Sequence, residues 1–184
     1  GRLWLNGEAG LFNYDPESGE VEVSELLQGL QSGPFVQLIL PDVENDPMAF
    51  MIATENILYR YDSATNELLQ YHSLETRGVN HTVAADSIVK DGQGIIWIAY
   101  PGVGLVGLDN ETLEEVHFYD QSNMLPTTAI YGLQLDEDGN IWMSSHQGLL
   151  KFYTNNHHVQ QFSYSEGVVT TEFNQGAYVQ FADG

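Results

Sequence analysis

An aromatic residue recurs at Trp4, Phe50, Trp97 and Trp142, at spacings of 46, 47 and 45 residues. A fixed period in this range means that one supersecondary unit is being repeated, and few folds are built that way. A turn follows each anchor by six or seven residues: Gly10-Leu11, Asn56-Ile57, Gly104-Leu105 and Gly148-Leu149. Next comes an apolar or aromatic residue, with Asp behind it in three copies: Tyr14-Asp15, Tyr61-Asp62 and Leu108-Asp109. The fourth copy has Phe152-Tyr153 there and loses the Asp. A polar turn and a run carrying Tyr71 or Phe118 follow in the middle copies. A last apolar run leads to the next anchor, at 34–40, 86–90, 130–135 and 177–181.

Each copy is therefore four short runs punctuated by Gly, Asn, Asp and Pro. The alternation in Val21-Glu22-Val23 and Leu133-Gln134-Leu135 is the period-two signal of half-buried strands. The DGN and DGQG stretches suit hairpin turns, because Gly and Asn accept positive φ. No helix is expected; SELLQGL at 24–30 is short and broken by Gly29. Four strands in about 46 residues predict an all-β fold, a β-propeller segment over 1–184 whose repeats are four-stranded antiparallel blades. The anchor tryptophans should fill the seams between blades. The second copy, with Phe50 for Trp, should be the least regular. The chain starts three residues before its first anchor and stops at Asp183-Gly184, the turn expected before a fifth. Part of a larger ring is the expectation; closure of a four-bladed ring by its paired ends is the alternative.

Five basic residues face 26 acidic ones, for a net charge of −21. Phosphate binding needs clustered Lys and Arg, so nucleic acid is not expected, nor contact with an anionic membrane surface. Cysteine is absent, which removes disulfides, thiolate nucleophiles and cysteine metal sites. No apolar run approaches the roughly 18 residues of a membrane helix, and no signal peptide is present. The first residue already lies inside the repeat, so missing targeting signals carry little weight.

The order D-G-x-I-W-[apolar]-x-[ST]-x-x-G-L-x-x-[YF]-D, then a polar turn and an aromatic, resembles the two-component regulator propeller repeats. DEDGNIWMSSHQGLLKF is the best copy, followed by Phe162 and Tyr164. SEGVVTTEFNQGAYVQFADG resembles the stretch that leads into the last blade of such propellers. The resemblance is strong in copies three and four, fair in the first and poor in the second. It implies a periplasmic or extracellular sensor segment of a bacterial inner-membrane protein. Further blades and an output module would lie in the same chain: a histidine kinase, hybrid kinase or diguanylate cyclase. The full-length protein could dimerise. The ligand implied is a small molecule or an oligosaccharide.

No catalytic constellation stands out: there is no G-x-S-x-G elbow, P-loop or H-E-x-x-H. Asp136, Asp138 and Asn140 look like the start of a calcium loop, but Ile141 stands where Gly is needed and Gln147 where Glu is needed. A hairpin turn is the better reading. His157-His158 reads as a solvated turn without a third metal ligand. No metal, cofactor or catalytic residue is assigned. In a propeller, the second-to-third-strand loops and the between-blade loops crowd one face, where ligands bind. The first set holds Glu8, Glu55, Tyr100 and His146-Gln147; the second holds His81, Thr127-Thr128 and Glu172 to Asn174. The ligand-binding candidates are His146, Gln147, His81, Tyr100, Glu172 and Asn174, with His146 foremost. The expected function is non-catalytic sensing. The alternatives are a propeller enzyme of the streptogramin-lyase or polysaccharide-active type, which needs a positioned general base, and a protein-interaction scaffold.

Overall fold

A computed structural model describes residues 3–7, 10–23, 38–41, 50–53, 57–62, 65, 67–79, 83–170 and 172–175. The candidates Glu8, Glu55 and His81, the stretch 24–30 and the last run at 177–181 lie outside them. The chain divides into two compact units, Gly1–Ala84 and Ala85–Gly184.

In the first unit, β1 (Leu3–Gly7), β2 (Gly10–Tyr14) and β3 (Val21–Val23) form a three-stranded meander. A second meander orders β4 (Leu38–Pro41), β5 (Phe50–Ala53), β6 (Ile57–Asp62) and β7 (Glu67–Ser73) as β4-β5-β6-β7. Trp4 and Phe50 lie in β1 and β5. A short 3-10 turn, Leu74–Arg77, follows β7.

His72, on β7, is 9% exposed. Burial, and secondarily the charge of Arg77, hold its imidazole down at about 4. The sign follows directly. Below about pH 6.5 the unfolded chain takes up a proton that the folded chain refuses until about pH 4, so stability falls as pH falls across that window. A shift of this size corresponds to roughly 3 kcal/mol. The stability difference between wild type and His72→Gln, from urea unfolding followed by circular dichroism, should therefore shrink by roughly 2–3 kcal/mol between pH 7 and pH 4.5. A pH-independent difference would contradict the assignment.

The second unit holds two four-stranded meanders. The first runs β8 (Ser87–Lys90), β9 (Ile95–Tyr100), β10 (Gly104–Asp109) and β11 (Glu115–Tyr119). The second runs β12 (Ile130–Leu135), β13 (Ile141–Ser145), β14 (Gly148–Tyr153) and β15 (His158–Phe162). The strands begin and end where the repeat places them, with the anchors Trp97 and Trp142 on β9 and β13. Alternation is strict in β14, whose residues are buried and half-buried in turn. The continuous apolar run of β9 is instead buried on both faces, as a covered strand requires.

Trp97, Ala99 and Leu105 of one sheet pack against Ile130, Leu133, Ile141, Met143, Leu150 and Phe152 of the other. Trp97 is 1% exposed and meets Phe152 edge-on at 4.9 Å, so this anchor does fill a seam between sheets. Its indole Nε1–H donates to Asp91 Oδ2 at 2.7 Å. Asp91 Oδ1 accepts the backbone N–H groups of Gln93 and Ile95, at 2.8 and 2.9 Å. One carboxylate thus closes the hairpin and satisfies the buried indole. The next repeat does the same. Asp136 Oδ1 accepts from the backbone of Asp138 and Asn140, and its Oδ2 accepts from Trp142 Nε1 at 3.2 Å and Lys151 Nζ at 2.7 Å. Burial works against its ionisation, but Lys151 and the Asn140 backbone outweigh it and hold the carboxyl at about 2. Asp136 thus belongs to a hairpin turn. Among the described residues, no three His, Cys, Asp or Glu side chains group as a metal would need.

The reading of His157 as a solvated turn residue is corrected. Its ring is half-buried, bonds Tyr119 Oη through Nδ1 at 2.5 Å and meets His117 edge-on at 4.4 Å. Its backbone adopts φ 54°, the left-handed position that Gly19 and Leu113 fill in the corresponding turns, at 74° and 66°. In all three, that N–H donates to a carbonyl four residues earlier: Asp15, Asp109 and Tyr153. The turn survives in the fourth copy without its Asp. A histidine placed there is directed into the seam rather than into water.

Candidate functional site

The face with the candidate residues is built from the ends of the second unit's strands. The β13–β14 hairpin carries His146 and Gln147. Ser145, fully buried, donates its hydroxyl to Gly148 O at 2.7 Å and accepts the Gln147 N–H at 3.1 Å. That pair of bonds fixes the hairpin. The connection from β11 to β12 braces it from below: His146 N donates to Ala129 O, and Gly102 N, in the β9–β10 turn, donates to Thr128 O. Thr127 is buried, and its hydroxyl accepts the Ala129 N–H at 3.1 Å. Residues 127–129 thus brace both hairpins, through Thr128 O and Ala129 O.

The connection after β15 arrives at the same place. Phe173 N donates to Ser145 O at 3.2 Å. Glu172 then reaches His146, with Oε1 3.6 Å from Nδ1. Both side chains are open to water, 57% exposed for His146 and 68% for Glu172. The contact is an ion pair only when the imidazole is protonated. Gln175 Nε2 lies 2.9 and 2.8 Å from the two oxygens of Asp86, just ahead of β8. The 172–175 segment is therefore tied at both ends, and Asn174 between the ties is exposed.

Four of the six candidates, His146, Gln147, Glu172 and Asn174, thus come together on braced backbone at one end of the sheets. His81 lies outside the described residues. Tyr100 is placed otherwise. It is the last residue of β9, 1% exposed, and burial pushes its phenol above the usual tyrosine range. Its ring belongs to the packed interior rather than to the open loop face. Sequence reasoning missed the Gln175–Asp86 tie and the Gln161 side chain, whose Nε2 donates to Gln147 O at 2.6 Å.

The chemistry on offer is one imidazole, one carboxylate and several amides, fixed in place but exposed. Such a set can exchange hydrogen bonds with a polar ligand. The stretch that carries His146 and Gln147, residues 124–147, matches the family described as Two component regulator propeller. Over 71 residues the chain is 28% identical to histidine kinase P4 of Formosa agariphila, covering 39% of this chain and 5% of that one. Among solved structures it is similar to the extracellular domain of the hybrid two-component system BT4673 of B. thetaiotaomicron. That match has 24% identity and a TM-score of 0.73, and it covers 90% of this chain and 24% of the other. It is also similar to virginiamycin B lyase of Staphylococcus aureus, solved as a catalytically inactive His→Ala form with quinupristin. There the identity is 13% and the TM-score 0.65, covering 91% of this chain and 54% of that one. The fold is therefore of the all-β propeller type, with one three-stranded and three four-stranded antiparallel sheets among the described residues. The chain spans about a quarter of the length of the sensor structure and a twentieth of the kinase. Among the described residues, no helix is long and apolar enough to cross a membrane.

Proposed function

We propose that this chain is a non-catalytic ligand-sensing segment of a bacterial transmembrane signalling protein, lying on the extracytoplasmic side of the membrane. His146, Gln147, Glu172 and Asn174 contact the ligand. The observation that carries the reading is the convergence of the β13–β14 hairpin and the 172–175 segment. Two loops far apart in sequence present polar side chains together on braced backbone, as loops on a rigid scaffold do at binding sites. The ligand is a small polar molecule or an oligosaccharide. An output module elsewhere in the same protein receives the signal, and more blades continue the ring beyond the described sheets.

Ligand binding to the native state raises the melting temperature by mass action. A screen of oligosaccharides, amino acids and divalent cations should yield compounds that do so. With any of them, His146→Ala and Glu172→Gln should lower the ligand-induced shift and leave the ligand-free melting temperature within about 2 °C of wild type, since both residues are exposed. No stabilising compound, or a shift untouched by both substitutions, would count against the reading.

The His146–Glu172 pair also supports a second reading. An exposed imidazole beside a carboxylate has the outline of a general base with an orienting partner, and one similar propeller is a lyase. That reading predicts turnover abolished by His146→Ala.

A further inference from the structure

A cleft of about 430 Å³ opens between the connection 121–126 and strand β15. Its size is within the range of small-molecule sites, roughly 300–1,000 Å³. The wall is built before any ligand arrives. Asp120 O accepts the N–H groups of Met124 and Leu125, Asn123 Oδ1 accepts that of Asp120, and Asn123 Nδ2 donates to Phe118 O. Gln121 Nε2 donates to Pro126 O at 3.1 Å, closing the same turn.

The lining has two chemistries. Gln121, Ser122, Asn123 and Gln161 supply three amides and a hydroxyl. Met124, Leu125, Pro126 and Val159 supply an aliphatic floor, and Leu125 is rooted in the core. No lining residue is charged or aromatic. The nearby Asp120 carboxylate is engaged by the N–H and hydroxyl of Ser122. Gln121 and Gln161 each give one amide N–H to a backbone carbonyl, which leaves the other N–H to donate and the carbonyl oxygen to accept.

This combination selects a ligand class. Free amides offer donors and acceptors side by side, which a hydroxyl matches because it is both. An anion would meet no cation here and would face a chain of net charge −21. An ammonium group would find no carboxylate in the lining. A flat aromatic ligand would find no ring to stack on, whereas aliphatic C–H faces suit the floor. We propose that the cleft between residues 121–126 and β15 is a binding site for an uncharged, hydroxyl-bearing ligand such as a neutral sugar. Gln161 also holds Gln147 O, so it connects the cleft to the β13–β14 hairpin, but the cleft does not depend on that hairpin's own role.

Methionine-methyl NMR reads the site cleanly. Met124 lines the cleft, and Met143 is fully buried in the core as an internal reference. The probes are maltose, cellobiose and lactose, with digalacturonate as the charged control. At least one neutral disaccharide should shift the Met124 signal saturably and leave Met143 unmoved. Gln161→Ala and Gln121→Ala should each weaken that response about tenfold, the loss of one or two hydrogen bonds. Digalacturonate should give no saturable shift. His146→Ala should leave the Met124 response intact, so the cleft and the hairpin readings fail separately. Absence of a saturable Met124 shift with all three sugars would overturn the proposal. So would an equal response to digalacturonate, or midpoints unchanged in both glutamine variants.

Discussion

Trp97→Ala should cost the second unit about 3–5 kcal/mol, the range for removing a fully buried large aromatic. The ring stacks on His117 at 5.4 Å and meets Phe152 edge-on at 4.9 Å, joining the two sheets. Asp91→Ala should approach the same range, at about 3 kcal/mol, although it removes only a carboxylate. It would orphan one buried indole donor and two backbone donors at once. The two effects share one bond, so they should not add. In Asp91→Ala combined with Trp97→Phe, the buried N–H is gone and cannot be orphaned. The double variant should be about 1–2 kcal/mol more stable than the sum of the singles predicts. Urea unfolding followed by circular dichroism measures these variants and the single Trp97→Phe that completes the cycle. Strict additivity would mean that the 2.7 Å bond contributes nothing beyond packing.

Gly104→Ala is the second large effect. Gly104 adopts φ +145°, and a Cβ there would lie 2.2 Å from the carbonyl oxygen of Tyr119. That oxygen belongs to the neighbouring strand and cannot rotate away like a flexible side chain. The backbone must separate, at about 3–4 kcal/mol. Gly102 is the matched control. Its φ of +80° is also left-handed, but a Cβ there would meet nothing within 4 Å. Gly102→Ala should cost only about 1 kcal/mol, from backbone conformation alone. Thermal melts of the two variants therefore separate a steric clash from conformational strain. Equal losses would show that the contact with Tyr119 is not what demands glycine.

These positions also show what the sequence reveals and what it hides. The Gly-Leu turns were legible because Gly104 and Gly148 recur seven and six residues after their anchors. The reason for glycine was not, since it lies in a carbonyl of the adjacent strand. For Gly148 that carbonyl is Phe162 O, 2.7 Å from where a Cβ would be. The strand order was legible because each meander simply follows the chain. The role of Asp91 and Asp136 was within reach: each stands six residues before its tryptophan. At the same offset before Phe50, whose ring has no N–H, stands Glu44. Turn composition suggested a hairpin but not a bond from the turn into the seam.

The site was legible to a similar degree. His146 and Gln147 could be placed because their hairpin follows the most regular anchor strand. Glu172 could be placed only as part of a connection; its 3.6 Å approach to His146 depends on Phe173 N binding Ser145 O, a long-range bond without a sequence signature. Tyr100 precedes a Pro-Gly turn and looked like a loop residue, but it completes a strand buried on both faces. His157 was obscured by polar neighbours that say nothing about a left-handed backbone.

The most direct test of the central claim is to incubate the protein with each compound that raises its melting temperature and to follow binding and product in the same samples. The account predicts saturable binding, recovery of the compound unchanged, and loss of that binding in His146→Ala and Glu172→Gln. Conversion of the compound by wild type, abolished in His146→Ala, would contradict it and make the chain an enzyme.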